Sequence, residues 1–289
     1  MIYFDNAAST AVHPEVVKEM LPYFDTQYGN PSSIHQFGRK AKNAIQKARK
    51  QVAALIGAEP SEILFTSGGT ESNNTILYGI PKSQGPKFVL NHIITSSIEH
   101  EAILEPCRDL EKNGVKVTYL PVDEHGIVNT DDIINSINPQ TVIVSIMFAN
   151  NEVGTIQPIK EISKICNKYQ IPLHTDAVQA VGKVPINVKE LGVDALSISS
   201  HKINGPKGVG ALFIKKGFMV AANIVGGGQE NGMRSGTENV ASIVGFGKAC
   251  EIAKERLAEN SSHFKKLHSL MLEKITKEIS HVKLNGHPE

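Results

Sequence analysis

The chain has 289 residues, with 30 basic against 29 acidic side chains and a formal net charge of +1. That length can bury a full core and permits one large domain plus part of a second, without choosing between arrangements. The balanced charge, with no like-charge block, excludes the polyelectrolyte attraction that drives nucleic-acid binding and favours a small polar or zwitterionic ligand.

In chain order, helical patterns at Glu15 to Phe24 and Ser33 to Ile56 precede a strand at Ile63 to Thr66 and a helix at Thr70 to Tyr78. A strand at Phe88 to Ile94, a helix at Glu101 to Lys112 and strands at Val115 to Leu120 and Val142 to Phe148 follow. The helix at Ile159 to Tyr169 carries Ile159, Ile162, Ile165, Cys166 and Tyr169 on one apolar face. Strands at Pro172 to Thr175, Ala195 to Ser199 and Val209 to Ile214 complete an α/β alternation, and several read as continuous apolar runs, as strands covered on both faces do. One long helix is expected from Asn239 to about Ser280, then a β-like piece from His281 to Leu284 and a turn signal at Asn285 to Glu289. Three units are expected: an N-terminal segment 1–14, a large domain 15–258, and 259–289 as the start of a small domain.

The start of the chain, Met1 to Asn6, lacks a basic segment with an apolar core, and the strongest apolar run, Val142 to Ala149, is too short for a bilayer. A cytoplasmic protein with no membrane partner is expected. The three cysteines, Cys107, Cys166 and Cys250, lie far apart without metal-ligand spacing, which speaks against a zinc site or a disulfide framework. They read as core thiols.

Polar groups recur just past the strand ends. Thr66-Ser67-Gly68-Gly69-Thr70-Glu71-Ser72-Asn73 joins a strand to a helix with small residues, so Gly69 and Thr70 are read either as a phosphate corner or as a capped turn with Thr70 as N-cap. It matches neither a Walker loop nor a dinucleotide fingerprint, which disfavours ATP and NAD. His100 in Ser97-Ile98-Glu99-His100-Glu101 is either a ring that stacks on a flat cofactor and moves protons, or a helix-start histidine. Asn151 in Asn150-Asn151-Glu152-Val153-Gly154 is either a ligand-binding amide or a turn asparagine. Asp176 and Gln179 in His174-Thr175-Asp176-Ala177-Val178-Gln179 are either a cofactor acid and amide or a helix cap and a surface amide.

Lys202 is the sharpest signal, set between an apolar strand and a glycine turn in Ser199-Ser200-His201-Lys202-Ile203-Asn204-Gly205-Pro206-Lys207-Gly208. A lysine that binds an aldehyde, with a carboxylate to keep a pyridine nitrogen protonated, points to pyridoxal phosphate. Five such groups fall at carboxyl ends of successive strands, where open α/β sheets place their ligands.

Together with Tyr3 to Thr10, Gly29 to Ser33, Gly227-Gly228-Gln229-Glu230 and Arg234-Ser235-Gly236-Thr237, these motifs resemble, in order and over essentially the whole chain, the cysteine desulfurases of the NifS/IscS group. Those are fold type I pyridoxal phosphate enzymes, with a mostly parallel sheet, flanking helices and a small α+β domain. The Gly-Pro-Lys-Gly and Arg-Ser-Gly-Thr forms look like the branch that serves iron-sulfur assembly and tRNA thiolation. The resemblance implies that Lys202 carries the cofactor and moves protons, and that Asp176 pairs with the pyridine nitrogen and Gln179 with the ring hydroxyl. It also implies that His100 stacks on the ring and acts as acid or base, with Asn151 between ring and substrate carboxylate. Gly69, Thr70, Ser199 and His201 would cradle the phosphate, and Thr237 would be lent to it by the other subunit of a homodimer.

The implied reaction takes L-cysteine to L-alanine and leaves sulfur as a persulfide for an acceptor such as an iron-sulfur scaffold or a tRNA-thiolation enzyme. The family's nucleophilic cysteine and its substrate-gripping arginine have no counterpart up to Glu289. The sequence therefore reads as a desulfurase cut off inside its small domain, with doubtful activity of its own. The alternatives are a non-catalytic dimerising interaction protein, an aminotransferase or a selenocysteine lyase.

Overall fold

In the computed structural model, which describes residues 2–83 and 91–288, the chain runs through α1 (Pro14–Met20), α2 (Gln36–Ile56), β1 (Ile63–Thr66), α3 (Gly69–Ser83) and β2 (His92–Ser96). Next come α4 (Glu101–Lys112), β3 (Lys116–Leu120), α5 (Thr130–Ser136), β4 (Thr141–Ser145), α6 (Ile159–Tyr169) and β5 (Leu173–Asp176). Then follow α7 (Val188–Leu191), β6 (Ala195–Ser199), β7 (Gly210–Ile214), α8 (Val240–Glu255) and α9 (Leu257–Glu278).

The seven strands form one sheet in the order β1-β7-β6-β5-β4-β2-β3. β7 pairs antiparallel with both of its neighbours, and the pairings from β6 to β3 are parallel. Alternate strand residues feed two cores. Leu64, Ile93, Ile143 and Leu212 pack with Ile76, Ile80, Ile103 and Cys107 of α3 and α4 on one face. Phe65, Ile94, Val144 and Phe213 pack with residues of α2, α5, α6 and α8 on the other. Covered on both faces, β1, β2, β4 and β5 are buried along their whole length, which explains their continuous apolar reading.

Several boundaries differ from expectation. The helix expected from Asn239 to about Ser280 is broken at Arg256 (φ −98°, ψ 7°), so α8 and α9 are separate. α8 buries most of its residues, whereas α9 buries none and leaves Phe264, Leu267, Leu270 and Met271 exposed. Residues 281–284 form no strand. The expected strand at Phe88 to Ile94 is β2, displaced toward Ser96, and residues 88–90 of that expectation lie outside the described residues. The strand expected to reach Phe148 ends at Ser145, although Ile146 and Phe148 N–H still bond the His174 and Asp176 carbonyls of β5. α2 begins at Gln36 rather than Ser33 because the His35 ring accepts from Gly38 N–H as its cap. α1 tightens into a 3₁₀ turn at Leu21–Tyr23, where Pro22 has no N–H to continue the ladder.

β1 is an edge strand, and a buried ion pair covers its edge. Glu230 Oε2 accepts from Phe65 N–H at 2.9 Å and from Arg49 Nη1 at 2.8 Å, while Arg49 Nη2 meets Glu230 Oε1 at 2.5 Å. Arg49 also donates to the Ile63 carbonyl at 2.6 Å and lies 4.7 Å from the Phe65 ring centroid. The two charged side chains are only 11% and 4% exposed, so removing one strands the other out of water. Arg49→Leu is expected to lower stability by about 3–5 kcal/mol, read as a fall in the urea midpoint. A midpoint within experimental scatter of the parent's would refute this account of the edge.

Candidate active site

Five strands end on one cavity of about 550 Å³. Gly69 and Thr70 reach it after β1, His100 after β2, Asn151 and Glu152 after β4, Asp176, Val178 and Gln179 at the end of β5, and Ser199, His201 and Lys202 after β6. Asp5, Ala7 and Ala8 close it from the N-terminal segment. The structure thus brings together every expected site residue except Thr237, which lines a separate space of about 190 Å³ with Arg234 and Gly236.

Asp176 is buried at the end of β5 and both of its oxygens are used. Oδ2 accepts from Asn73 Nδ2 of α3 at 2.7 Å and Oδ1 from Val178 N–H at 2.9 Å. Oδ1 thus caps the turn that follows β5, and Asp176 also lines the cavity. Burial raises the Asp176 carboxyl above its ordinary range, against the lowering effects of Asn73, Val178, His100 and Lys202. A cation brought beside it would favour the anion.

Lys202 sits in the 3₁₀ turn after β6 and donates to the carbonyls of Ala7 and of Ala8, the latter at 2.9 Å. Burial lowers its ammonium, with Asp176 and Asp5 pulling the other way. This is no freely solvated surface lysine. Around it the N-terminal segment is stitched down: Thr10 N–H and Oγ1 both donate to the His201 carbonyl, His13 N–H to the Asn204 carbonyl, and Asn204 Nδ2 to the Ala11 carbonyl.

His100 caps α4, its Nδ1 accepting from Ala102 N–H at 3.0 Å, so in the neutral ring Nε2 carries the hydrogen. The helix-start reading is correct, and the residue still lines the cavity. At the β4 turn the amides divide the work. Asn150 Oδ1 accepts from Glu152 and Val153 N–H, leaving Asn151 to line the cavity. Thr70 is not an N-cap, because α3 already begins at Gly69 and Ser72 N–H bonds the Gly68 carbonyl.

Three supporting residues escaped sequence reasoning. Asn73 meets Asp176 from 103 positions away, and only the helical offset from Gly69 hinted at its facing the sheet. His174 is a buried strut, bonded at Nδ1 to Ser145 Oγ (2.8 Å) and at Nε2 to Ser197 Oγ (3.0 Å), and burial drives its ring down to about 3. Glu99 Oε1 accepts from Ser96 Oγ at 2.6 Å and Met147 N–H at 2.9 Å, so it ties the β2 and β4 ends together.

The family model for class-V aminotransferases matches residues 2–289. Cysteine desulfurase IscS of Dictyoglomus turgidum is 52% identical over 285 residues, covering 99% of this chain and 72% of the relative. The protein of that name from Methanosarcina thermophila is 52% identical over 287 residues, covering 99% and 70%. Among solved structures, a NifS-like protein superposes with a TM-score of 0.92 at 45% identity, covering 96% of this chain and 76% of its own. The structure of SspA in complex with cysteine superposes at 0.86 with 39% identity, covering 93% and 78%. The chain belongs to the class-V aminotransferase family, within its cysteine desulfurases. Its mixed, mostly parallel sheet is that of the fold type I pyridoxal phosphate enzymes, and the cofactor of the family is pyridoxal 5'-phosphate.

The residues present fit that cofactor. A lysine and a sealed carboxylate share one cavity, and a Cβ at Gly69 would lie 2.8 Å from Val178 Cγ2, so any larger residue would crowd the cavity at the start of α3. Glu71, the acid next to that corner, is tied to Arg234 at 2.9 Å and to Ser67 N–H at 2.9 Å. No helix among the described residues is long and apolar enough to cross a membrane.

Glu99 yields a test of the site's electrostatics. Burial, partly opposed by its two hydrogen bonds, pushes its carboxyl from 4.5 to about 8. The folded group keeps its proton where the unfolded one has lost it, so stability falls as pH rises from about 4.5 to 8. In Glu99→Gln, which retains the acceptor oxygen, that component should vanish, flattening the slope by up to about 1.4 kcal/mol per pH unit. Urea midpoints measured across this pH range check it, and identical slopes in both proteins would contradict the buried, protonated Glu99.

Proposed function

We propose that the chain takes L-cysteine to L-alanine with pyridoxal 5'-phosphate and passes the sulfur to a thiol acceptor, as a cytoplasmic homodimer serving iron-sulfur assembly or tRNA thiolation. The observation that carries this is the convergence of Lys202 and the buried Asp176 on one cavity at the strand ends. Similarity to proteins named cysteine desulfurase, and to a structure titled as a complex with cysteine, supports the substrate.

When bound, pyridoxal phosphate supplies a ring that accepts the electrons released at the substrate Cα. Lys202 would hold it through Nζ and then move the Cα proton. Asp176, kept dry and hydrogen-bonded, would hold the proton on the ring nitrogen. His100 would cover a ring face and exchange a proton at Nε2, while Asn151 would orient the substrate carboxylate. Thr70, Ser199 and His201, with the backbone at Gly69, would receive the phosphate, and Gln179 the ring oxygen. Thr237 would serve the neighbouring subunit's phosphate, since it lies outside its own chain's cavity. Residues 15–258 would form the cofactor-binding unit.

The sulfur transfer is balanced without an external oxidant or reductant: a thiol and cysteine become a persulfide and alanine, as the C–S bond breaks and an S–S bond and a C–H bond form. A thiolate must make that attack. Cys107, Cys166 and Cys250 are all buried. Burial, with neighbouring carboxylates, raises the first two to about 12, and burial alone holds Cys250 well above 9. None of them would accept the sulfur.

Borohydride reduction of the cofactor-loaded chain should fix the adduct on Lys202, and Lys202→Ala should abolish it and lower alanine release from L-cysteine with added dithiol by about 10²-fold or more. An adduct mapped to Lys183 or Lys207 would defeat the assignment. Peptide mapping after reaction should find no persulfide on the three cysteines, and stoichiometric persulfide on any of them would reverse that reading.

A further inference from the structure

The turn after β5 links Lys183 to Lys202 through a glutamine and a carbonyl. Lys183 Nζ donates to Gln179 Oε1 at 2.8 Å, and Gln179 Nε2 donates to the Ala7 carbonyl at 2.8 Å. The same carbonyl accepts from Lys202 Nζ. Residues 177–184 coil through Val181 N–H to the Ala177 carbonyl and Val184 N–H to the Ala180 carbonyl, which stacks positions 179 and 183. Gly182 lets the chain turn there, with φ +77° and space so tight that a Cβ would lie 2.8 Å from Ile203 Cγ2, next to Lys202.

We propose that Lys183 is a positioning residue that locks the Gln179 amide with its NH₂ toward the cavity and, through Ala7, sets the carbonyl that holds Lys202. This rests on the cofactor reading above. The chemistry leaves a single arrangement. An ammonium only donates and a backbone carbonyl only accepts, so an amide lying between them satisfies both in one of its two orientations. The flipped amide would set NH₂ against ammonium and oxygen against oxygen.

With the lock in place, Nε2 spends one hydrogen on Ala7 and keeps the other for an electron-rich ligand oxygen. Gln179 lines the cavity, so that hydrogen is available where a cofactor ring oxygen would need a donor. Lys183 itself is half-buried and does not line the cavity, so it acts through Gln179 alone. Burial, then the charge of Lys202, lowers its ammonium to about 8. The other charges near this pair act on Lys202, namely Asp176 and Asp5.

The test uses the full chain loaded with pyridoxal phosphate. Lys183→Met keeps the length and removes the donor, Lys183→Arg keeps a donor, and Gln179→Leu removes the amide. Cofactor dissociation and the pH midpoint of the bound cofactor's visible band are read for each variant and for the Lys183→Met/Gln179→Leu pair. Lys183→Met should weaken retention about fivefold, the size of one lost hydrogen bond, and raise the midpoint in the same direction as Gln179→Leu. The double variant should match Gln179→Leu alone, because the two residues act in series, and Lys183→Arg should recover most of the parent's midpoint. An unshifted midpoint in Lys183→Met, or additive shifts in the double variant, overturns the proposal while leaving the cofactor reading intact. Unfolding of Lys183→Met overturns it too, in favour of a packing role. Failure of the parent chain to take up pyridoxal phosphate overturns the cofactor reading itself.

Discussion

The site depends on one costly choice, a carboxylate placed out of water at the end of β5. Asp176 is held there by hydrogen bonds from α3 and from its own turn, to Asn73 and Val178, and these join a helix on one face of the sheet to the strand that carries the acid. A buried carboxylate is tolerated when its lone pairs are met and an opposite charge lies near. Asn73, Val178, His100 and Lys202 together supply those conditions, although burial still tips the group toward its neutral form. A cationic ring nitrogen would complete the compensation, so the acid is better matched to a ligand than to the protein around it.

The rest of the architecture keeps that acid opposite the lysine. His174 bonds serines of β4 and β6 from its place on β5, and Glu99 joins the β2 turn to the β4 end, so neighbouring strand ends cannot shift independently. On the far side the N-terminal segment is bonded to residues about 190 positions later, to the carbonyls of His201 and Asn204 and to the lysine between them. Strand ends supply the floor of the cavity, and that segment supplies a wall that no strand could.

Much of this is legible in the sequence, and the legible part is local. Lys202, Asp176, His100, Asn151 and the Gly69-Thr70 corner each lie within a few residues of an apolar strand, and an α/β sheet gathers its strand ends by itself. Pairings across the chain were not legible. Arg49 with Glu230, 181 positions apart, and Asn73 with Asp176 join residues whose local surroundings read as ordinary helix and loop. The break at Arg256 was hidden because apolar residues continue at helical spacing through it, so periodicity alone reported one helix where packing makes two. Glu99 was in view beside His100, but a carboxyl that keeps its proton reveals itself only through burial.

Burial works in opposite directions on the two kinds of nucleophile in this chain. Cys107, Cys166 and Cys250 are walled into the apolar cores, where desolvation raises the thiol and no cation lowers it, so packing silences them. Lys202 is half-buried beside polar partners, where desolvation lowers the ammonium and favours the free amine. The same penalty that removes reactivity from an acid group therefore lends it to a basic one. Amine chemistry at such a site would gain from the dry environment that a fold type I sheet provides at its strand ends, whereas a thiolate in the same chain would need the opposite, an exposed position with a cation nearby.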